Sequence, residues 1–261
     1  MNRCCRAAAV LLLAASASAV EAADNVLPPP EHYRLRVEYR DFHPELTGEV
    51  QKGANGEQGT LIDVKKDLGL TDRRTFEVRG AIQLKAGHKI RLSYTRLSYE
   101  DNVAEAHRSF TFDDTRFDRF SPLTTRLNGA FYTAEYEWDL VKGSRGFLGA
   151  LIGAKVVDVD WLILSAPDAK RETDTTRALA PVIGAASRVY VGRVSLEGEL
   201  SGLTIGDRGT VYEAQASARV HVSDRLAVQG GYRMLKIKAK DGLDLGDLRL
   251  GGFQFGVELS L

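Results

Sequence analysis

The chain has 261 residues, with 35 basic and 35 acidic side chains and a net charge of zero. This balance argues against nucleic acid as a partner, because binding to phosphate backbones requires an excess of lysine and arginine. Both cysteines, Cys4 and Cys5, lie near the amino terminus, so the rest of the chain has no thiol for a disulfide, a metal site or a nucleophile. We expect no cofactor and no metal site.

Residues 1–23 are typical of a secretory signal peptide. Arg3 and Arg6 give a positive start, and the apolar stretch 7–14 is too short to span a bilayer. Ala17-Ser18-Ala19 supplies small residues for cleavage, with a second acceptable cut at the end of the segment. Removal of this leader changes the net charge only to −1.

Residues 32–261 are predicted to form one all-β domain, after a stiff proline-rich periplasmic lead-in at residues 24–31. Segment after segment alternates apolar and polar residues, the period of two that a strand with two different faces requires. No run of 18 apolar residues follows the leader, which excludes a helical membrane protein. Ten strands are predicted, near residues 32–42, 73–84, 89–99, 123–140, 146–163, 177–190, 193–204, 209–222, 225–238 and 248–261.

The links between these strands alternate in length, which is typical of a closed antiparallel up-and-down transmembrane barrel with short periplasmic turns and longer extracellular loops. An even strand number places both ends of the barrel domain on the periplasmic side. Eight or twelve strands stay open as alternatives, if weak strands fail or if residues 50–64 pair. The predicted long links are residues 43–72, 100–122, 164–176 and 239–247, and the short ones are 85–88, 141–145, 191–192 and 223–224.

The period of two does not say which face points inward. A soluble barrel buries its apolar face, whereas a small outer-membrane barrel buries a polar network and turns its apolar face to lipid. Aromatic residues near strand ends, such as Tyr132, Trp138 and Phe253, favour the membrane arrangement. With the polar face inward, eight bases meet eight acids, which suits an occluded lumen closed by ion pairs. The predicted lumen charge network is Arg34, Arg36, Glu38, Arg40, Glu77, Arg79, Arg91, Glu135, Glu137, Lys155, Glu197, Glu199, Glu213, Arg219, Arg233 and Glu258.

The leader, the rhythm of strands and turns, and the last strand resemble the outer-membrane β-barrel superfamily of Gram-negative bacteria. In that superfamily the terminal strand is the signal read by the barrel-insertion machinery, and it usually ends in Phe or Trp. The resemblance implies an outer-membrane location, contact with outer-membrane lipid and lipopolysaccharide, and an insertion signal that here ends in leucine. That signal would be the apolar face formed by Phe253, Phe255, Val257, Leu259 and Leu261.

Two short patterns resemble the catalytic sites of outer-membrane enzymes. His221 and Ser223 have the spacing used by outer-membrane phospholipases and lipid A deacylases, although Ser223 falls in a predicted periplasmic turn. Asp113-Asp114 with His107 and His43 resembles the omptin proteases, ten-stranded barrels that activate water above the membrane. No Asp-x-His follows in a late loop, so the omptin pattern is incomplete. Catalytic residues are therefore not assigned.

The leading hypothesis is a non-enzymatic barrel with a charge-balanced, largely occluded lumen and surface loops for envelope or ligand contacts. Three alternatives stay open: a narrow passive pore, an omptin-like or lipid-modifying hydrolase, and a soluble periplasmic β-barrel binder. The pore alternative depends on a water-filled lane beside inward glycines. A further pattern, Asp241, Asp244 and Asp247, is spaced loosely enough to hold Ca²⁺ or to meet ions that bridge lipopolysaccharide, with solvated acids as the alternative.

Overall fold

The computed structural model describes residues 33–54, 56–205 and 209–261, without the side chains of 100–103 and 205. The predicted leader and lead-in lie outside these residues. No described segment is a helix long and apolar enough to cross a membrane. The described strands are β1 (Leu35–Gln51), β2 (Ile62–Asp63), β3 (Thr75–Lys85), β4 (His88–Glu105), β5 (Phe110–Phe112), β6 (Thr115–Phe117), β7 (Pro122–Gly143), β8 (Gly146–Ser165), β9 (Lys170–Val191), β10 (Val194–Ile205), β11 (Gly209–His221), β12 (Leu226–Asp241) and β13 (Asp244–Ser260).

Ten of these strands form a closed antiparallel barrel, and β2, β5 and β6 are short additions at one end. Each barrel strand pairs with the next along the chain, and β13 pairs back with β1 over their full length. The seam is tight, because Leu261 N donates to Leu35 O at 2.7 Å. A closed ring leaves no unpaired strand edge, as a sheet surrounded by lipid requires. The predicted ten-stranded up-and-down barrel is confirmed.

The two ends of the barrel differ in their connections. One end, the turn end, has the short turns at 86–87, 144–145, 192–193 and 222–225. The opposite end, the loop end, has the long segments 52–74 and 106–121, which lie between barrel strands. In an outer-membrane barrel the short turns face the periplasm and the longer loops face outward.

The outer wall is apolar over a band near the turn end. On β12 the outward residues from Leu226 to Met234 are apolar or aromatic, and Lys236 follows. Nine residues at about 3.3 Å each, tilted by about 40°, cover roughly 22 Å, close to the apolar band of about 25 Å on known barrels. Aromatic rings follow one another along the loop-end border of the band: Tyr39 to Phe76 at 6.2 Å, Phe76 to Tyr94 at 6.1 Å and Tyr94 to Tyr132 at 5.1 Å between centroids. This wall is the opposite of a soluble barrel surface.

The inward face changes from charged to apolar along the barrel axis. On β1 the inward residues are Arg36, Glu38 and Arg40 near the turn end, and Phe42 and Leu46 farther on. The same change occurs on the other strands, so that the loop end contains a hydrophobic core. We call this core the apolar plug; its strand residues include Leu97, Leu127, Phe131, Val157, Trp161, Val211, Leu235 and Leu250. The predicted polar lumen therefore occupies only one end of the barrel.

The long segments of the loop end complete the apolar plug. Segment 52–74 contributes Ile62 and Leu68, and segment 106–121 contributes Phe110 and Phe117, whose rings stack at 5.1 Å. An ion pair joins the two segments, since Arg108 Nη2 donates to Asp67 Oδ2 at 2.7 Å. These segments fold over the barrel mouth and pack against the inward faces of the strands.

Two predicted long links are wrong. Residues 164–176 and 239–247 continue the strands, and the actual connections are the short turns 166–169 and 242–243. Both stretches are polar on both faces, as in Lys170–Asp174, and therefore lack the alternation by which a strand is recognised. Beyond the apolar band both faces of a strand can meet water or polar partners. Gly242, with φ of 57°, permits the tight reversal between β12 and β13.

Candidate functional site

The inward charged residues near the turn end form an ion-pair network in which each base meets several acids. Arg219, which is fully buried, forms ion pairs with three carboxylates: Glu197 at 2.8 Å, Glu258 at 3.0 Å and Glu38 at 3.3 Å. Arg188 of β9 donates to Glu197 at 2.5 Å and to Glu258 at 3.2 Å. These five residues come from β1, β9, β10, β11 and β13, so the network joins strands across the barrel seam.

A second group of ion pairs spans the other half of the lumen. Glu77 forms ion pairs with Arg79 at 3.0 Å and with Arg233 at 3.2 Å. Arg233 also donates to Glu213 at 2.8 Å, and Arg79 donates to Glu199 at 3.2 Å. The two groups are joined by Arg40, which pairs with Glu38 and lies 3.5 Å from Glu77. Buried charges are tolerated only with such partners, because isolation from water costs each ion several kcal/mol.

Little space remains inside the charged half of the barrel. A cavity of about 40 Å³, lined by residues such as Glu38, Arg79 and Glu135, is room for a few water molecules and no larger solute. Gln254 is almost fully buried, and neither of its amide atoms has a hydrogen-bond partner among the described residues. Buried amides of this kind are usually satisfied by internal water. Among the described residues, ion-paired side chains therefore point into the charged half of the lumen, and Gln254 offers a place for internal water.

Comparisons with known proteins settle the fold class. No protein-family model and no curated protein matches the chain. Among solved structures, the outer membrane protease OmpT from Escherichia coli has a TM-score of 0.54 at 9% identity, covering 92% of this chain and 99% of that chain. The chain has the fold of a Gram-negative outer-membrane β-barrel.

Two further solved structures also match, with lower scores. The attachment invasion locus protein Ail of Yersinia pestis has a TM-score of 0.37 at 9% identity, covering 88% of this chain and all of that chain. Neisserial surface protein A has a TM-score of 0.32 at 12% identity, covering 87% of this chain and 97% of that chain. At these identities the likeness concerns the fold alone.

In this barrel, the predicted lumen residues point inward with one exception. Arg34 is exposed at the turn end, because it precedes β1 and lies where the lumen opens. Three charged lumen residues were not predicted: Lys89, Asp139 and Arg188. Lys89 and Asp139 lie at strand ends, where Lys89 Nζ pairs with Asp139 at 3.1 Å and with Glu137 at 2.6 Å. Arg188 was missed because its inward neighbours on β9, such as Val182 and Ala186, are small or apolar.

The histidine–serine pattern does not form a pair. His221 points into the lumen, where its Nε2 lies 3.0 Å from Ser195 Oγ, and Ser195 is fully buried. Ser223 stabilises the next turn, since its hydroxyl accepts from Leu226 N at 3.1 Å. Neither serine lies on the lipid-facing wall, so the arrangement required for attack on a membrane lipid is missing from these residues.

The omptin-like residues are also separated. His43 lies on the outer wall, and its Nε2 is 3.0 Å from Asp41 Oδ2. Asp113 lies at the barrel mouth, where its backbone N donates to Lys52 O at 3.2 Å. Because nine steps of extended chain at about 3.3 Å each separate His43 from Lys52, these groups are roughly 30 Å apart. They do not form one site.

Two of the three aspartates near the last hairpin contact other groups of the protein. Asp244 Oδ1 accepts from Gly53 N at 2.9 Å, and its Oδ2 lies 3.4 Å from Lys52 Nζ. Asp247 lies 3.4 Å from Lys236 Nζ. Among the described residues, no cluster of three or more potential ligands has the arrangement to hold a metal ion.

Proposed function

We propose that the protein resides in the outer membrane as a non-enzymatic barrel with an occluded lumen, and that its outer surface contacts envelope components. The observation that carries this proposal is that the interior is filled at both ends. Ion pairs fill the turn end and the apolar plug fills the loop end, which leaves a cavity of about 40 Å³ in the charged half. A solute channel would need a continuous water-filled path.

The glycines that suggested a pore have a different role. A Cβ atom at Gly252 would overlap His43 O, and one at Gly153 would overlap Ala134 O. Similar overlaps with a neighbouring strand occur at Gly231 and Gly256. These glycines therefore permit a close approach of adjacent strands, and the space beside them is occupied by backbone.

Conductance across a planar bilayer tests the occluded lumen. We expect the purified barrel to give no stepwise current, whereas replacing Arg219, Arg188 and Arg233 together by alanine should open water-filled space and give measurable steps. Heat-modifiable electrophoresis before the recording establishes that each sample is a folded barrel. Regular channel openings from the natural sequence would refute the occluded lumen and favour the narrow pore.

OmpT is named a protease, so hydrolysis is the second function to test. The described residues do not bring His43 and Asp113 into one site, which supports a non-enzymatic role. Purified barrel should not cleave a basic peptide library or release fatty acid from lipopolysaccharide. Hydrolysis that disappears on replacing His43, His107 or His221 by alanine would overturn the proposal.

A further inference from the structure

Strand β9 extends far beyond its neighbour β10 at the loop end of the barrel. The ladder between β9 and β8 continues as far as Lys170, but the ladder between β9 and β10 ends at the pair Ile183–Gly202. Strand β10 itself ends at Ile205. Among the residues that the structure describes, one edge of β9 therefore has no strand beside it over residues 170–179. We call this stretch the open edge.

Pro181 stands where the ladder between β9 and β10 stops. Tyr190 N donates to Arg145 O on the β8 side, and the side to which backbone groups point alternates along a strand. Odd-numbered residues of β9 therefore point their N–H and C=O groups toward the β10 side. Pro181 is one of them and has no N–H to donate, so the ladder loses a hydrogen bond at this step. Beyond it, the residues that point these groups to the open edge are Arg171, Thr173, Thr175, Arg177 and Leu179.

The chain covers a similar edge on β1. There the ladder with β3 ends two residues before Pro44. Farther along the same strand, Leu46 N donates to Asp72 Oδ1 at 2.9 Å. Gly48 O accepts from Val64 N at 3.1 Å. The long segment after β1 thus supplies partners for this edge, and no described segment does the same for β9.

The open edge lies beyond the apolar band, because the outward apolar residues of β9 end at Leu179 and Arg177 follows. Every side chain from residue 175 to residue 179 is exposed. Strand β6 contacts the inward face of β9, where Thr115 Oγ1 donates to Glu172 Oε1 at 2.7 Å, and it belongs to a separate sheet. The N–H and C=O groups of the open edge are therefore available to another extended chain.

Arginines are the charged side chains on the outward face of the open edge. Arg171 and Arg177 are exposed and lie six residues apart. Between them on this face are Thr173 and Thr175, whereas the two acidic residues of the stretch point inward. Arg177 also pairs with Asp158 of β8, and the outward acids of β8 lie one strand away from the open edge. Opposite charges stabilise an antiparallel pair, so the edge fits a strand with two acidic side chains six positions apart.

We propose that the open edge of β9 binds an extended acidic segment of a second polypeptide, which adds an antiparallel strand to the sheet. Backbone hydrogen bonds at Thr173, Thr175 and Arg177 supply the contact, and the arginines select the charge of the partner. The proposal goes beyond the proposed envelope contacts and rests on the proposed outer-membrane location, with the loop end outside. It is independent of whether the lumen conducts.

The test measures binding of a fluorescent peptide by the purified full-length barrel in detergent, which separates binding from cellular location. The peptide alternates threonine and valine and has two glutamates six positions apart. In the proposed pairing, residues on the glutamate face point their N–H groups to β9. Methylation of these backbone nitrogens should abolish binding, whereas methylation of the intervening nitrogens should leave it unchanged. Equal binding of the two methylated peptides would overturn the proposal.

Variants of the barrel locate the contact. Thr175→Pro removes the central N–H of the open edge and should weaken binding at least tenfold. The double variant R171Q/R177Q should weaken it severalfold. The matched control is R96Q/R126Q, which removes two exposed outward arginines from β4 and β7, strands with neighbours on both sides. This control should keep its affinity, and every variant should still shift in mobility on boiling.

Three further outcomes would overturn the proposal. Unchanged affinity of Thr175→Pro would place the peptide elsewhere on the barrel. Equal loss in R171Q/R177Q and in the control would mean that general charge attraction drives binding. Self-association of the natural barrel that excludes the peptide, and that disappears in Thr175→Pro, would assign the open edge to a second copy of this chain.

Discussion

Buried charges in the ion-pair network contact several partners, so replacing one of these residues should destabilise the barrel. Replacing Arg219 by alanine would remove one of the two cations, Arg219 and Arg188, that each form ion pairs with Glu38, Glu197 and Glu258. Removing one partner of a buried ion pair typically costs about 3–5 kcal/mol. We therefore expect the unfolding midpoint in urea, measured by the mobility shift, to fall sharply.

The matched comparison for this variant is Arg177→Ala. Arg177 pairs with Asp158 on the outer surface beyond the apolar band and is largely exposed. Because exposed pairs are screened by water and salt, the unfolding midpoint should change little. Equal effects at Arg177 and Arg219 would show that the interior network does not stabilise the barrel.

Asp67 connects the two segments of the loop end, and its titration predicts a pH dependence. Burial opposes ionisation of Asp67, but hydrogen bonds from Arg108 and from Asp63 N outweigh burial and hold its pKa below the usual value. A lowered folded pKa means that the stabilisation is complete above the unfolded pKa of about 4 and is lost as the pH falls through the folded pKa. Protease protection of segment 52–74 should therefore decrease in acid below about pH 4.

Two substitutions test this assignment. Asp67→Asn should weaken protection at neutral pH and reduce its change on acidification, because the titrating carboxylate is gone. Glu57→Gln, at an exposed acid of the same segment, should leave both unchanged. Protection that falls in acid to the same extent with and without Asp67 would assign the pH dependence to other acids.

At the scale of elements, the sequence predicted the positions of the strands well and the residues that fill the barrel interior poorly. All ten barrel strands were found from alternation, since an outer apolar face and an inner charged face differ at every step. The apolar plug was not predicted. Phe42 is an even number of residues from Arg36 and Arg40 and therefore points inward too. From the sequence alone, an apolar residue at an inward position cannot be told from an outward residue of a strand whose register is shifted by one. Long-range packing of segments 52–74 and 106–121 has no local signal.

The last strand offers a prediction about assembly. Phe253 and Phe255 are 63% and 56% exposed on the outer wall of β13, which supports a role in recognition by the insertion machinery. The double variant F253S/F255S should lower the yield of heat-modifiable barrel in the outer membrane severalfold. The control L179S/I183S changes residues of β9 that are 69% and 56% exposed. An equal loss in the control would attribute the defect to reduced apolar surface alone.

At the scale of the whole molecule, the barrel combines two kinds of interior. The turn end is a membrane barrel with a polar inside and an apolar outside, and the loop end resembles a soluble protein with an apolar inside and a polar outside. The two halves suit different surroundings: the first suits lipid and the second suits water. A continuous channel would have to cross both.

The seam between β1 and β13 brings Arg34 and Leu261 close together, so the order of the strands along the chain could be changed. Arg34 N donates to Leu261 O at 2.7 Å, so a short linker could join these positions without disturbing the sheet. Opening the chain within turn 166–169 would then give a circular permutant with the same ring of strands. Such a permutant would end on β8 in place of β13. Its assembly in cells would show whether β13 must be the last strand for insertion into the membrane, separately from its contribution to the stability of the finished barrel.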